Sequence, residues 1–132
     1  MKKYLLDTNV LIGCLRKKQS LIDSVLENGK QNKLAISTLT YGELLVGLMK
    51  NNTPRRRNAL SKVLTPIQII DYDQSAAKEF SKIKANLESN GKPIGAYDMQ
   101  IAAHAISLNY TLVTHNTKEF SRIPKLKYTD WE

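Results

Sequence analysis

The stretch KKYLLDTNVLI, residues 2–12, joins a short apolar run to an abrupt polar ending. Residues 3–6 read KYLL, which is typical of a short strand covered on both faces of a parallel sheet. Asp7, Thr8 and Asn9 follow at once, where an ordinary turn would be expected. Because a carboxylate follows the apolar strand directly, we predict that Asp7 lies at the carboxyl-terminal edge of a buried sheet.

Length and composition predict one globular domain that spans residues 1–132. Hydrophobic residues make up 42% of the chain, an ordinary value for a folded domain. No apolar run approaches the length of a transmembrane helix, and the start does not resemble a signal peptide. We therefore expect a cytoplasmic protein without a membrane partner. The single cysteine, Cys14, lies in an apolar segment and is predicted to be a core residue.

The charge of the chain favours a polyanionic partner. Twenty Lys and Arg residues against twelve Asp and Glu residues give a net charge of +8. Such a field attracts nucleic acid, and an acidic partner protein is the alternative. A run of charges is typical of a solvated surface, but it also suits a path for phosphates. The candidates for RNA binding are Arg55, Arg56, Arg57, Lys118 and Arg122.

Short apolar strands alternate with amphipathic helices along the chain. This alternation predicts a parallel sheet with helices on both faces, whose strand carboxyl ends share one edge. The predicted strands cover residues 3–6, 34–37, 67–71 and 111–114, with a fifth short strand within residues 126–129. The predicted helices cover residues 10–16, a segment capped by Ser20 and ended by Gly29, residues 40–50, a segment from Thr53–Pro54 to before Pro66, a segment from Asp73 to near Gly91, and residues 98–109.

Polar and acidic residues cluster where these predicted strands end. Asp7 follows the first strand, Glu43 lies on the helix after the second, Asp98 begins a later helix, and Asn116 and Glu119 follow the fourth strand. Carboxylates held close together repel one another unless a cation compensates them, and oxygen ligands select Mg²⁺ or Mn²⁺. Such an ion activates and orients water for attack on phosphorus. With the basic charge, the pattern predicts phosphodiester hydrolysis of nucleic acid.

Each acid also has a structural explanation. Asp7 suits an N-cap, Glu43 completes a capping box with Thr40, Asp98 suits a first helical turn, and Glu119 suits a solvated surface. A basic RNA-binding module without catalysis is therefore the main alternative. A metal-dependent phosphatase of the kind that starts with Asp after its first strand fits less well. That chemistry needs a second Asp where this chain has Asn9.

Four segments together resemble a known family. They are LLDTNVLI, LTYGELLVG, GKPIGAYDMQIAAHA and LVTHNTKEFSRIPKLKYTDW, which span nearly the whole chain. This combination is similar to PIN-domain ribonucleases of the VapC type, the toxins of bacterial toxin–antitoxin pairs. The resemblance implies a three-layer α/β/α sandwich with a four- to five-stranded parallel sheet. It also implies Mg²⁺- or Mn²⁺-dependent endoribonuclease activity and a homodimer.

The resemblance also assigns roles to residues. Asp7, Glu43 and Asp98 correspond to the first three acids of the family, with Asp7 and Asp98 as the principal metal ligands. Asn9 and Thr114 are expected to orient the carboxylates or water by hydrogen bonds. The fourth acid of the family is replaced here, because Asn116 stands at that position. Glu119 is the substitute that the sequence offers, since it lies one helical turn further on.

The resemblance further suggests a target and partners. The segment around Asn116 and the terminal Asp130–Trp131 pair resemble the enteric VapC toxins, which cut initiator tRNA in the anticodon stem-loop. The family implies a cognate antitoxin that covers the active site with a basic side chain. It also implies a hetero-oligomer of toxin and antitoxin that binds operator DNA through the antitoxin.

Overall fold

A computed structural model describes residues 1–132 and contains a five-stranded parallel sheet. The strands are β1 (Lys3–Leu6), β2 (Lys33–Ser37), β3 (Gln68–Ile70), β4 (Thr111–Val113) and β5 (Tyr128–Thr129). Their order across the sheet is β3-β2-β1-β4-β5, and every neighbouring pair is parallel. The predicted sheet is therefore confirmed, including the short fifth strand.

Seven helices cover the two faces of this sheet. They are α1 (Thr8–Leu15), α2 (Gln19–Gly29), α3 (Thr38–Lys50), α4 (Pro54–Leu64), α5 (Gln74–Ser89), α6 (Ala96–Leu108) and α7 (Thr117–Phe120). None of them combines the length and the apolar character needed to cross a bilayer.

Successive strand residues point to opposite faces of the sheet and build two cores. Leu5 and Leu112 pack in one core with side chains of α5, α6 and α7. Their chain neighbours Leu6 and Val113 pack in the other core with side chains of α1, α2, α3 and α4. All four strand residues are fully or almost fully buried. The fold is therefore the predicted three-layer α/β/α sandwich, with β1 at its centre.

Four predicted helix starts are wrong by a few residues. Helix α1 starts at Thr8, directly after its cap Asp7, and not at residue 10. Ser37, and not Thr40, caps α3 by accepting a hydrogen bond from the Leu39 N–H at 3.1 Å. The predicted capping box of Thr40 and Glu43 therefore does not form. Helix α2 follows Lys18 without a side-chain cap, so Ser20 is not its N-cap. Helix α6 starts at Ala96, two residues before Asp98.

Cys14 packs in the core as predicted, and the core also contains a histidine. Cys14 is buried, and burial raises the pKa of its thiol. His104 is fully buried with its ring edge-on to Tyr72 at 5.5 Å, and burial lowers the pKa of its imidazole. Neither ring nitrogen of His104 forms a hydrogen bond of ordinary length and angle.

Candidate active site

The carboxyl ends of β1 and β4 meet at the point where the strand order reverses. In open α/β sheets this is the place where ligands bind. Asp7 follows β1 and Thr114 follows β4, and the Thr114 hydroxyl donates a hydrogen bond of 2.9 Å to Asp7 Oδ2. The Thr8 N–H donates to Asp7 Oδ1 at 2.8 Å, so the same carboxylate caps α1. The two explanations that the sequence allowed for Asp7 are therefore compatible.

Burial shifts the pKa of the Asp7 carboxyl. Only 4% of the residue is exposed. Desolvation raises the pKa of its carboxyl, and the hydrogen bonds from Thr114 and Thr8 oppose that rise without cancelling it. Burial therefore disfavours the ionised carboxylate, and the two hydrogen bonds offset only part of this effect.

Asp98 and Glu119 form a second part of the site. Desolvation, a hydrogen bond in which protonated Asp98 donates to Glu119, and the negative charges of Asp7 and Glu119 together raise the pKa of Asp98 to about 6. A hydrogen bond between two carboxyl groups requires that one of them carries a proton. The structure thus brings Glu119, on the one-turn helix α7, against Asp98 near the start of α6.

One pocket contains most of the remaining predicted residues. Asn9, Glu43 and Asn116 line it together with Asp7 and Asp98. Asn9 is exposed and its side chain makes no hydrogen bond to a carboxylate, so the orientation expected of it is not seen. The orientation expected of Thr114 is seen.

Three hydroxyls lie together beside this pocket, and sequence reasoning predicted a role only for Thr40, as a helix cap. The Tyr97 hydroxyl lies 2.8 Å from Thr8 Oγ1 and 3.4 Å from Thr40 Oγ1, and the two threonine oxygens lie 3.3 Å apart. Burial raises the pKa of Tyr97, the two threonine hydrogen bonds oppose the rise, and the charges of Asp7 and Glu43 add to it. The signal available in the sequence is that each hydroxyl lies within three residues of a predicted acid.

No basic side chain compensates the four acids. None of Asp7, Glu43, Asp98 and Glu119 has a Lys, Arg or His nitrogen within 4.0 Å. This is notable in a chain with a net charge of +8. Asp7 and Asp98 have raised pKa values, and four carboxylates without a cationic partner form a donor set that fits a hard divalent cation. The residues therefore suit Mg²⁺ or Mn²⁺.

The predicted RNA-binding residues fall into two groups. Arg56 and Glu43 line one adjoining groove, while Arg55 and Arg57 are exposed on the same first turn of α4. Lys118 and Arg122 are exposed and lie close to Glu119 in the chain. Arg122 donates a hydrogen bond of 3.4 Å to the Pro93 carbonyl, just before α6.

A separate cluster of acids lies at the end of the chain. Asp130 Oδ2 and Glu132 Oε2 approach His115 Nδ1 at 3.0 and 3.2 Å, and Lys18 contacts the other oxygen of Glu132. The Glu132 N–H donates to Asp130 Oδ1 at 2.9 Å. The Lys18 ammonium, the His115 ring and a backbone donor thus contact these carboxylates. His115 is directed to this terminal cluster through Nδ1 and is absent from the lining of the pocket.

The placement of these acids at a strand-order reversal agrees with the comparison to known families. A family model described as the PIN domain matches residues 4–126. The chain belongs to the PIN-domain family. This PIN domain is 37% identical over 132 residues to the tRNA(fMet)-specific endonuclease VapC of Shigella flexneri, and the match covers 99% of each chain. It is 38% identical over 132 residues to ribonuclease VapC2 of Haemophilus influenzae, with 99% of each chain covered.

The fold of this PIN domain is also that of a solved relative. The VapBC2 structure from Rickettsia felis, bound to a promoter DNA fragment, superposes with a TM-score of 0.91 at 33% identity. The match covers 98% of this chain and 99% of that chain. The resemblance noted from the sequence is therefore confirmed.

Proposed function

We propose that this PIN domain is a metal-dependent endoribonuclease toxin that hydrolyses RNA phosphodiester bonds. The observation that carries the proposal is the convergence of Asp7, Glu43, Asp98 and Glu119 without a basic partner. Relatives named ribonuclease VapC support the choice of RNA as the substrate. The reaction takes place in the cytoplasm, where RNA is translated.

The proposed roles follow from where each carboxylate lies. Asp7 and Asp98 would hold Mg²⁺, or Mn²⁺ in its place, and Glu43 and Glu119 would complete the negative site. When bound, the ion supplies the positive charge that compensates these acids and the charge developing on the phosphate. Thr114 keeps the Asp7 carboxylate in one orientation through its 2.9 Å hydrogen bond. Asn116 has an amide, which cannot act as a base, so proton transfer falls to the carboxylates.

The basic side chains suggest how RNA is held. Arg56 in the adjoining groove, and Lys118 and Arg122 close to Glu119 in the chain, suit phosphates that enter and leave the acidic centre. Arg55 and Arg57 extend the first of these groups. We infer that initiator tRNA is the target, because the Shigella flexneri relative is named for tRNA(fMet). The resemblance to the enteric VapC toxins suggests its anticodon stem-loop as the cleavage site.

An antitoxin suits the groove next to the pocket. The groove is lined by apolar side chains of α1, α3 and α4, and it shares Ile12 and Glu43 with the acidic pocket. An apolar antitoxin segment in this groove would bring a basic side chain among the acids. The solved VapBC2 complex on promoter DNA supports an antitoxin partner that connects the toxin to operator DNA. We also expect a homodimer, since Val46 and Met49 are exposed on α3.

The decisive experiment uses the full chain after separation from any antitoxin. Purified protein is incubated with total tRNA in Mg²⁺ or Mn²⁺, and the 5′ ends of the fragments are sequenced. We expect cleavage of initiator tRNA in the anticodon stem-loop, and none with EDTA. Cleavage of another RNA would contradict the proposed tRNA target and leave the ribonuclease activity standing. Protein that binds RNA and cleaves nothing with either ion would favour the non-catalytic RNA-binding module instead.

A further inference from the structure

Three hydroxyls from three different helices form a closed cluster beside the acidic pocket. We call Thr8, Thr40 and Tyr97 the hydroxyl ring. Its three oxygen–oxygen distances are 2.8, 3.3 and 3.4 Å. Thr40 is fully buried and has no hydrogen-bond partner for its hydroxyl outside the ring.

Each hydroxyl carries one hydrogen, so the ring can satisfy every donor only if the bonds run in one direction. In that arrangement Thr8 donates to Thr40, Thr40 donates to Tyr97, and Tyr97 donates to Thr8. The phenol is the most acidic of the three groups, and its donation to Thr8 spans the shortest distance, 2.8 Å. Loss of the Tyr97 hydroxyl leaves the buried Thr40 hydroxyl with Thr8 as its single partner, so one buried donor loses its acceptor, which is costly.

Every member of the ring is close in the chain to a different acid. Thr8 follows Asp7, Tyr97 precedes Asp98, and Thr40 lies one helical turn before Glu43. The ring therefore connects α1, α3 and α6 at the turns from which the acids project. Thr8 is the first residue of α1, and Tyr97 is the second residue of α6. A fixed distance between these turns fixes the spacing of the carboxylates.

We propose that Tyr97 is a positioning residue whose hydroxyl sets the spacing of Asp7, Glu43 and Asp98 and thereby the affinity for the divalent ion. This inference rests on the proposed function, because it assigns a task to the same site. Tyr97 also lines the pocket with its ring. A change that keeps the ring and removes only the hydroxyl therefore separates positioning from contact with RNA.

The test is the substitution Tyr97→Phe in the full chain without antitoxin. Mn²⁺ affinity is measured by electron paramagnetic resonance, and kcat and KM for RNA are measured at one fixed Mn²⁺ concentration below the wild-type dissociation constant. Removal of an outer hydrogen-bond partner of a metal site typically costs about 10- to 100-fold in metal affinity or activity. We expect Mn²⁺ affinity to fall about tenfold, with lower kcat and an unchanged KM for RNA.

Tyr72→Phe is the matched control, because the Tyr72 hydroxyl is buried but bonds to nothing. The same chemical change there is expected to leave Mn²⁺ affinity and kcat as in the wild type. Thr40→Val is the second variant, since it keeps the side-chain shape and breaks the ring. It should also weaken Mn²⁺ binding, and it decides the question if Tyr97→Phe fails to fold.

Two outcomes distinguish this inference from the proposed function. Wild-type Mn²⁺ affinity in folded Tyr97→Phe, or in Thr40→Val if the first variant does not fold, would overturn the positioning role and leave the ribonuclease proposal standing. Wild-type protein that binds Mn²⁺ but cleaves no RNA would overturn the ribonuclease proposal. The difference in Mn²⁺ affinity between Tyr97→Phe and Tyr72→Phe would then still decide the role of the ring.

Discussion

Two groups of carboxylates lie near the same edge of the sheet, and they are compensated in opposite ways. Asp130 and Glu132 are accompanied by His115 and Lys18 at the protein surface. Asp7 and Asp98 lie deeper and have no basic neighbour, and desolvation by burial raises their pKa values. A protein with twenty Lys and Arg residues could pair every acid. Acids left unpaired in a pocket are therefore the ones that suit an external cation.

The largest expected effect on RNA cleavage comes from neutralising an acid of the unpaired group, and the same change in the terminal cluster is its comparison. Asp7→Asn removes a charge that the proposed ion requires, and RNA cleavage should fall by at least about 100-fold, with growth inhibition lost. Asp130→Asn removes the same charge from the terminal cluster and should stay within about threefold of the wild type. Cleavage rates with Mg²⁺ and growth after induction are the measurements.

Circular dichroism on both variants separates loss of chemistry from loss of fold. Asp7 also caps α1, so its replacement removes one of two hydrogen bonds to the carboxylate. Equal loss of cleavage in Asp7→Asn and Asp130→Asn, with both folded, would contradict the distinction between the two groups.

The second prediction concerns the pH dependence of the unpaired group. Burial raises the pKa of Asp98 from 3.8 to about 6, so the folded state binds this proton more tightly than the unfolded state. Without metal, stability should fall as the pH rises from 3.8 to about 6, by no more than about 3 kcal/mol. Metal requires the ionised form, so Mn²⁺ affinity should be about tenfold higher at pH 7 than at pH 5.

The difference between wild type and Asp98→Asn isolates this carboxyl from the other titrating groups. Urea unfolding of both proteins between pH 4 and pH 7 gives that difference directly. A wild-type advantage that grows with pH in the absence of metal would show that a basic partner, and not burial, controls Asp98.

The fold could be predicted from the sequence because strand and acid positions depend on local patterns. KYLL marks the central strand, and the acid after it marks the edge where strands end. The helix starts could not be placed as well. Ser37 and Thr40 are both good caps, and only the end of β2 at Ser37 decides between them. Because Ser37 caps α3, the Thr40 hydroxyl can bond to Thr8 and Tyr97 in the hydroxyl ring.

Contacts between helices that are distant in the chain could not be predicted from the sequence either, because they depend on packing. Tyr97 lies 89 residues from Thr8, and nothing in the local pattern shows that their hydroxyls meet. The contact of Glu119 with Asp98 likewise depends on the tight turn from β4 into α7. Residue types could be predicted from single segments, whereas partners required the packed structure.

The third prediction concerns which residue, Glu119 or Asn116, supplies the fourth position of the unpaired acidic group. If Glu119 supplies the fourth acid, Glu119→Gln should weaken Mn²⁺ binding about tenfold, and Asn116→Ala should weaken it less. The Gln amide can also donate to Asp98, which should lower the pKa of that carboxyl. Isothermal titration of Mn²⁺ into both variants measures the order, and the reverse order would assign the fourth position to Asn116.

The smallest effect is expected from the basic residues that border the unpaired group without neutralising it. Arg56→Ala removes one proposed phosphate contact, so the slope of log affinity for RNA against log salt should decrease by about 0.7 with kcat unchanged. Lys62→Ala is the matched control, since Lys62 lies in the last turn of the same helix and does not line the groove. Both variants lose one positive charge. If the net charge of the protein alone attracts RNA, both salt slopes should change equally. A larger change for Arg56 alone would place the RNA path beside Glu43.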